Sequence, residues 1–405
     1  MTYDLIIKGG HVLDPGQSID GIMDVAITDG RIAQIGPDLP SAEAKTVLEI
    51  RDPNRYVVPG LIDMHCHVAY GSMTHGVGLD CCKPDEVGVE SGVTTVIDAG
   101  SIGASNIGVF PAHIIPHSNT RIGVLLNVAS FAHTMPQPSD MNSLDELNQD
   151  VIARCIANNP GLVSGFKLRL VGSIVDDIGE ALVDRAKAIS REHQLPLTVH
   201  VGDPGAANRE HPERVAEVTK HVLKTLEAGD ILTHICTPRA GGVMDSSLHP
   251  YPELREARAN GVILDSALGR GHFDYEVACR QAEAGVAPDT ISSDLSTLGQ
   301  DFHSLLECMS KFMAVGYSLS DVVRMTTVNP ARVNHLEDSL GALAVGREAD
   351  ITILDVVEGP FSFLDTRQNV FSGTSALAPV QTIRAGKLYA PRWGTHPWGW
   401  LPSAV

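Results

Sequence analysis

Eight apolar, β-rich runs alternate with helical stretches between about residues 56 and 335, and that rhythm restricts the fold more than any other feature. The runs are Val57–Met64, Thr94–Ala99, Gly123–Val128, Gly165–Leu170, Pro196–His200, Ile231–His234, Gly261–Asp265 and Thr290–Asp294. Helical spacing fills Ile178–Glu192, Pro212–Ala228 and Tyr251–Ala259. Strands buried on both faces and separated by helices belong to a parallel sheet, and eight of them over roughly 250 residues predict a closed (β/α)8 barrel of the TIM type. Both chain ends read differently. Tyr3–Lys8, His11–Leu13, Asp24–Ile27 and Arg31–Ile35 are short strands, with Asp29-Gly30 as a hairpin step. Strands return at Ile351–Asp355, Val380–Ala385 and Leu388–Tyr389. The expected organisation is a catalytic barrel over 56–335 and one small β-sandwich domain built from 1–55 and 336–405. Trp393, Trp398 and Trp400 crowd the last thirteen residues, where a tail packed on this subunit or a neighbour is expected; the assembly expected is a homo-oligomer.

Barrels of this kind build their active sites at the C-terminal strand ends. The first run closes on Asp63-Met64-His65-Cys66-His67. Alternation along a strand turns His65 and His67 to the same face, which makes half of a metal site. The same alternation turns Cys66 away into the core. Lys167, His200, His234 and Asp294 each sit at or near the end of a later run. A lysine buried among histidines is costly as an ammonium. Carboxylation of its amine by carbon dioxide gives an anion whose two oxygens can bridge two metals. Four imidazoles, that bridge and a carboxylate can hold two divalent ions, with zinc the expected metal, and leave room for a shared hydroxide. Cys81-Cys82 read as loop.

Substrate contacts are expected from cations near those ligands. Arg169 lies two residues past Lys167, on the same face, and Arg270 and His272 lie on the loop after the seventh run. A guanidinium there either grips a substrate carboxylate through two parallel hydrogen bonds or pairs structurally with an acid. Tyr70, three residues past His67, either caps the pocket or forms its wall.

With 49 acidic against 30 basic side chains, the net charge of −19 disfavours nucleic acid and anionic membranes as partners but says nothing about catalysis; the small-molecule substrate is expected from the candidate site. No apolar stretch reaches the roughly 18–20 residues that span a bilayer. The N-terminus lacks the basic start and apolar core of a signal peptide. Seven scattered cysteines suit reduced thiols in the cytoplasm.

These residues carry a resemblance. Asp4-Leu5-Ile6-Ile7-Lys8-Gly9-Gly10 through Asp14-Pro15, Pro59-Gly60-Leu61-Ile62-Asp63 with its His-x-His, Ser91-Gly92-Val93-Thr94-Thr95, and Gly341 through Ile351 resemble the amidohydrolase superfamily. The branch is the one that includes dihydroorotase, hydantoinase and D-aminoacylase, and the likeness covers nearly the whole chain. It implies that His65 and His67 are ligands of the more buried metal and that His200 and His234 are ligands of the more exposed one. Lys167 then resembles the carboxylated bridge, and Asp294 the ligand that also shuttles a proton. The nearest resemblance is to a dihydroorotase-like deacetylase group whose members hydrolyse acetylated α-hydroxy and α-amino acids. Where typical members carry a glycine- and histidine-rich segment after strand seven, this chain has Asp265-Ser266-Ala267-Leu268-Gly269-Arg270-Gly271-His272-Phe273. The implied activity is removal of an acyl group from a carboxylate-bearing amide or ester. The alternatives are a cyclic-amide hydrolase like dihydroorotase or hydantoinase, and a non-catalytic oligomeric scaffold of the same fold.

Overall fold

Gly9, at a φ of +71°, lets two short runs become one strand. That strand, β1 (Tyr3–Asp14), shifts register between Ile7 and Gly10 against β2 (Ile19–Thr28), which is the bulge such a glycine permits. Asp29 and Gly30, both at positive φ, turn β2 into β3 (Arg31–Gly36), as the Asp-Gly step predicts. β4 (Ala44–Glu49) and β5 (Arg55–Pro59) both pair with β1 in parallel. The structure, a computed structural model, describes residues 2–72, 81–132, 141–208, 210–211, 213–269, 271–296 and 304–392. Arg270 and the three tryptophans lie outside the described residues.

The first barrel run is two strands, not one. A Cβ on Gly60 would meet Thr94 Oγ1 at 2.4 Å, so glycine lets the chain cross there from the small sheet into the barrel. The barrel strands are β6 (Leu61–Cys66), β7 (Val93–Ala99), β8 (Arg121–Asn127), β9 (Val163–Arg169), β10 (Leu197–His200), β11 (Ile231–Thr233) and β12 (Ile263–Asp265). They lie in sequence order, each parallel to the next. The eighth run, Thr290–Asp294, forms isolated bridges in place of a regular strand. Thr290 bridges Asp265 and Leu295 bridges Cys66, both in parallel. Ser266 N donates to Thr290 O (3.1 Å) and Asp294 N donates to His65 O (2.6 Å), so the run closes the barrel from β12 back to β6. Asp294, at a φ of +53°, breaks the ladder where it closes.

β13 (Ile351–Leu364), β14 (Val370–Arg384) and β15 (Lys387–Tyr389) complete the small sheet in the order β15-β14-β13-β5-β1-β2-β3, with β4 on β1. β13 and β14 run well beyond the short strands read from sequence. Register shifts between Glu358 and Phe361 and between Ile353 and Leu354 absorb Gly359-Pro360 and Val380, the residue after Pro379. Ile7, Val25, Ile27, Val57, Ile351 and Ile383 fill the small core, each fully buried branched side chain contributing roughly 1.5–3 kcal/mol. The far half of the β13–β14 hairpin buries Phe361, Phe363 and Phe371 in the barrel's own core, and Leu377 N donates to Ser310 Oγ (2.9 Å) on the helix Leu305–Val315. Among the described residues no helix is long and apolar enough to cross a membrane.

Candidate metal centre

Parallel strands deliver their last side chains to one rim, and that rim is where the donors meet. His65 is the penultimate residue of β6, Lys167 lies two before the end of β9, and His200 ends β10. His234 follows β11 directly, and Asp294 stands at the irregular closure. Cys66 turns the other way, its Sγ 3.6 Å from Ile97 O in the core. Lys167 Nζ is 2.9 Å from His65 Nε2, and Asp294 Oδ1 lies 3.3 Å from His65 Nε2 and 3.1 Å from His67 Nε2. The His234 ring centroid lies 5.0 Å from that of His65, 4.2 Å from that of His200 and 4.0 Å from that of His272, on which it stacks. Two groups of donor atoms result, His65/His234/Asp294 and His200/His234/His272, each spanning no more than 4.8 Å and both containing His234.

The surrounding hydrogen bonds fix which nitrogens face inward. Thr233 Oγ1 donates to Asp265 Oδ2 (2.8 Å), so it accepts from His65 Nδ1 (3.0 Å). Ser101 Oγ donates to Asp98 Oδ2 (2.7 Å) and likewise accepts from His67 Nδ1 (2.8 Å). His234 Nδ1 donates to Ala267 O (2.7 Å). These partners leave the Nε2 lone pairs of His65, His67 and His234 directed at the rim. Among the described residues His234 Nε2 is buried without a hydrogen-bond partner, an orphan that a metal ion would satisfy. His65 Nε2 and His67 Nε2 lie 3.3 and 3.1 Å from Asp294 Oδ1, so a proton or a metal ion has to lie between each ring and that oxygen.

Protonation states agree. Burial, then the neighbouring imidazoles and cations, holds His200 and His234 well below the ordinary histidine range. Burial also lowers His67. Neutral imidazoles are the ligand form. His65 goes the other way: burial and the Lys167 charge oppose its protonation, but Asp265 and Asp294 outweigh them and raise it. Burial opposes ionisation of Asp294, yet contacts with His65 and His67 hold its carboxyl well below the usual range. The site thus draws positive charge toward His65 and keeps its carboxylate ionised. Backbone strain marks the same place, with His234 at a φ of +71° and Asp294 at +53°, each costing of order 1–3 kcal/mol. A Cβ on Gly269 would lie 2.3 Å from Asp294 Oδ2, so that carboxylate packs against bare backbone.

Of the residues expected around substrate, His272 joins the histidine cluster, its pKa lowered to about 4 by burial and then by Arg239 and Arg169 against an opposing Asp294. Arg169 is half-buried at the end of β9, near enough for its charge to act on both His200 and His272. Tyr70 is 53% exposed, its ring facing Lys83 Nζ at 5.4 Å, and lines a surface cavity with Glu86, His113 and His117. Sequence reasoning missed Asp98, Ser101, Thr233 and Asp265, which orient His65 and His67, and Arg239, whose Nε donates to Gly271 O (3.2 Å) beside His272. Asp98 and Asp265 stand at the ends of the second and seventh runs, the same positional signal that marked the ligands.

Residues 56–389 match the amidohydrolase family. A deacetylase of Enterococcus faecalis is 29% identical over 395 residues, covering 96% of this chain and 100% of the relative. A deacetylase of Agrobacterium fabrum is 31% identical over 376 residues, 90% of this chain and 87% of its own. Crystal structures of an adenine deaminase and of a dihydroorotase superpose with TM-scores of 0.83 and 0.81, each at 28% identity and over 96% of this chain, covering 100% and 99% of those chains. The chain belongs to the amidohydrolase family and is a hydrolase.

Proposed function

We propose that this protein is a binuclear deacetylase, removing an acyl group from a small carboxylate-bearing amide or ester such as an acetylated α-amino or α-hydroxy acid. The observation that carries the reading is the pair of donor groups sharing His234, whose Nε2 is buried and unsatisfied. One zinc takes four ligands, and His65, His67, Lys167, His200, His234 and Asp294 exceed that number. Two divalent ions held there would polarise the acyl carbonyl and bring water's acidity down to about neutrality. Lys167 serves best carboxylated: the ammonium gives up one proton, the free amine nitrogen bonds the carbon of carbon dioxide and loses a second, and the buried cation becomes an anion. Asp294, kept ionised by its neighbours, takes the attacking water's proton and returns it to the leaving nitrogen or oxygen as the acyl bond breaks. Asp98, Ser101, Thr233 and Asp265 hold the imidazoles in register, and Arg169, with Arg270 and His272, receives the substrate carboxylate. In this reading 56–335 is the catalytic unit, 1–55 with 336–405 the small domain, and the enzyme a cytoplasmic homo-oligomer.

The names of the relatives support the acyl substrate, while the cyclic-amide alternative shares every ligand. A panel of N-acetyl and O-acetyl acids assayed beside dihydroorotate tests the choice. Turnover of the acetylated acids at least tenfold above dihydroorotate is expected, and the reverse order overturns it. Arg169 has its own signature on that panel. Charge-assisted hydrogen bonds contribute roughly 1.5–3 kcal/mol, so Arg169→Met is expected to lower kcat/KM by about one to two powers of ten on a carboxylate substrate and far less on its neutral amide. Equal losses on both would make Arg169 a support of the site's structure.

A further inference from the structure

The hairpin between β13 and β14 leaves the small sheet and ends beside the loop that carries His272. Its tip is internally braced. Buried Asp365 accepts from Arg367 N (2.8 Å), Asn369 N (2.9 Å) and Asn369 Nδ2 (3.1 Å), and Gln368 takes a φ of +63° to allow the turn. From that tip Thr366 grips Phe273 at both backbone groups. Thr366 N donates to Phe273 O (2.8 Å), and Phe273 N donates to Thr366 Oγ1 (3.0 Å). Arg367 Nε pairs with Asp274 (3.1 Å), whose carboxylate also caps the helix Tyr275–Glu283 by accepting from Val277 N (3.0 Å). Phe371 stacks on Tyr275 at 4.2 Å and lies 6.0 Å from Phe273.

His272 immediately precedes the gripped peptide. On its inner side, Nδ1 is 3.0 Å from Thr237 Oγ1, and the ring stacks on His234. Phe273 is already buried against Phe312 and Phe371 by its ring. The added grip on its backbone fixes the direction in which the preceding residue leaves the loop. We propose that Thr366, on the small domain's hairpin, is a positioning residue of the active site: it sets the His272 ring against His234 and His200. The small domain thereby tunes His200 and His234 through the ring packed against both. The inference rests on the proposed function, in which His200 and His234 hold metal and His272 lies beside them.

The test uses the full-length enzyme stripped of metal and titrated with zinc against a chelating dye, with kcat and KM measured alongside. Thr366→Val keeps the shape and removes the acceptor, whereas Thr366→Ser keeps the hydroxyl. Outer partners of this kind are typically worth about 10–100-fold in metal affinity or activity. Thr366→Val is therefore expected to weaken the second zinc at least tenfold and to lower kcat/KM similarly, with Thr366→Ser staying within about threefold of wild type. In a His272→Asn background, Thr366→Val is expected to add nothing, because its effect passes through that ring. A Thr366→Val enzyme that loses only thermal stability overturns the inference, as does an undiminished effect without His272. If the wild type takes up no zinc, the metal reading fails and this inference with it. If the wild type binds zinc and Thr366→Val is indifferent, this inference fails alone.

Discussion

Asp294→Asn is expected to lower turnover by about 10²–10⁴ while most of the metal stays bound, because a positioned general acid–base group contributes that much. Asparagine keeps the shape of a side chain packed against Gly269 and keeps an oxygen for His65 and His67, which lie within 3.3 Å of Oδ1. It removes the basic oxygen that takes a proton. Asp294 is suited to that role because its two histidine neighbours keep it ionised despite burial. Parallel measurements of turnover and metal content on the same preparation separate the roles. Near-wild-type turnover would remove Asp294 from proton transfer, whereas lost metal with proportionally lost activity would make it a ligand only.

Lys167→Ala is expected to act on both quantities together. Lys167 is buried, its Nζ 2.9 Å from His65 Nε2 at the rim where the Asp294 carboxylate and the imidazoles converge. An ammonium there repels the cations the other donors attract, and a carboxylated amine holds them. Losing the bridge should release at least one ion and lower kcat by about three powers of ten or more, given several kcal/mol of charge stabilisation from metal. Acetate or propionate at high concentration is expected to restore part of both by supplying a carboxylate in the vacated space. Full metal content and turnover in Lys167→Ala would exclude the bridging role, as would an intact-mass measurement and density showing an unmodified lysine directed away from two bound ions.

The barrel was legible because burial on both faces gives its strands continuous apolar runs, and the candidate donors because those runs end on histidine, lysine or aspartate. What escaped the sequence depends on tertiary partners. The run from Val57 reads as one strand, yet Gly60 divides it between two sheets for want of space beside Thr94. Thr290–Asp294 reads as a regular strand, but the left-handed backbone at Asp294 reduces it to two bridges. The strands read at Ile351–Asp355 and Val380–Ala385 are parts of longer ones, because bulges keep β13 and β14 continuous past Gly359-Pro360 and Pro379. The hairpin's reach to Phe273 follows from that continuity, so the small domain's approach to the site was invisible too. His272 reads as a substrate contact from its loop position; its stacking on His234 depends on how that loop folds back. Asp98 and Asp265 share the strand-end position of the candidate donors and Ser101 does not, but only the distances to the imidazoles reveal what the three orient.

The donors that share His234 are expected to hold two metal ions. Elemental analysis of protein purified without chelator and equilibrated with zinc measures this directly. About two zinc ions per chain are expected, with activity lost on chelation and regained on zinc return. One ion or none per chain after zinc supplementation, in protein that remains folded and active, would contradict it.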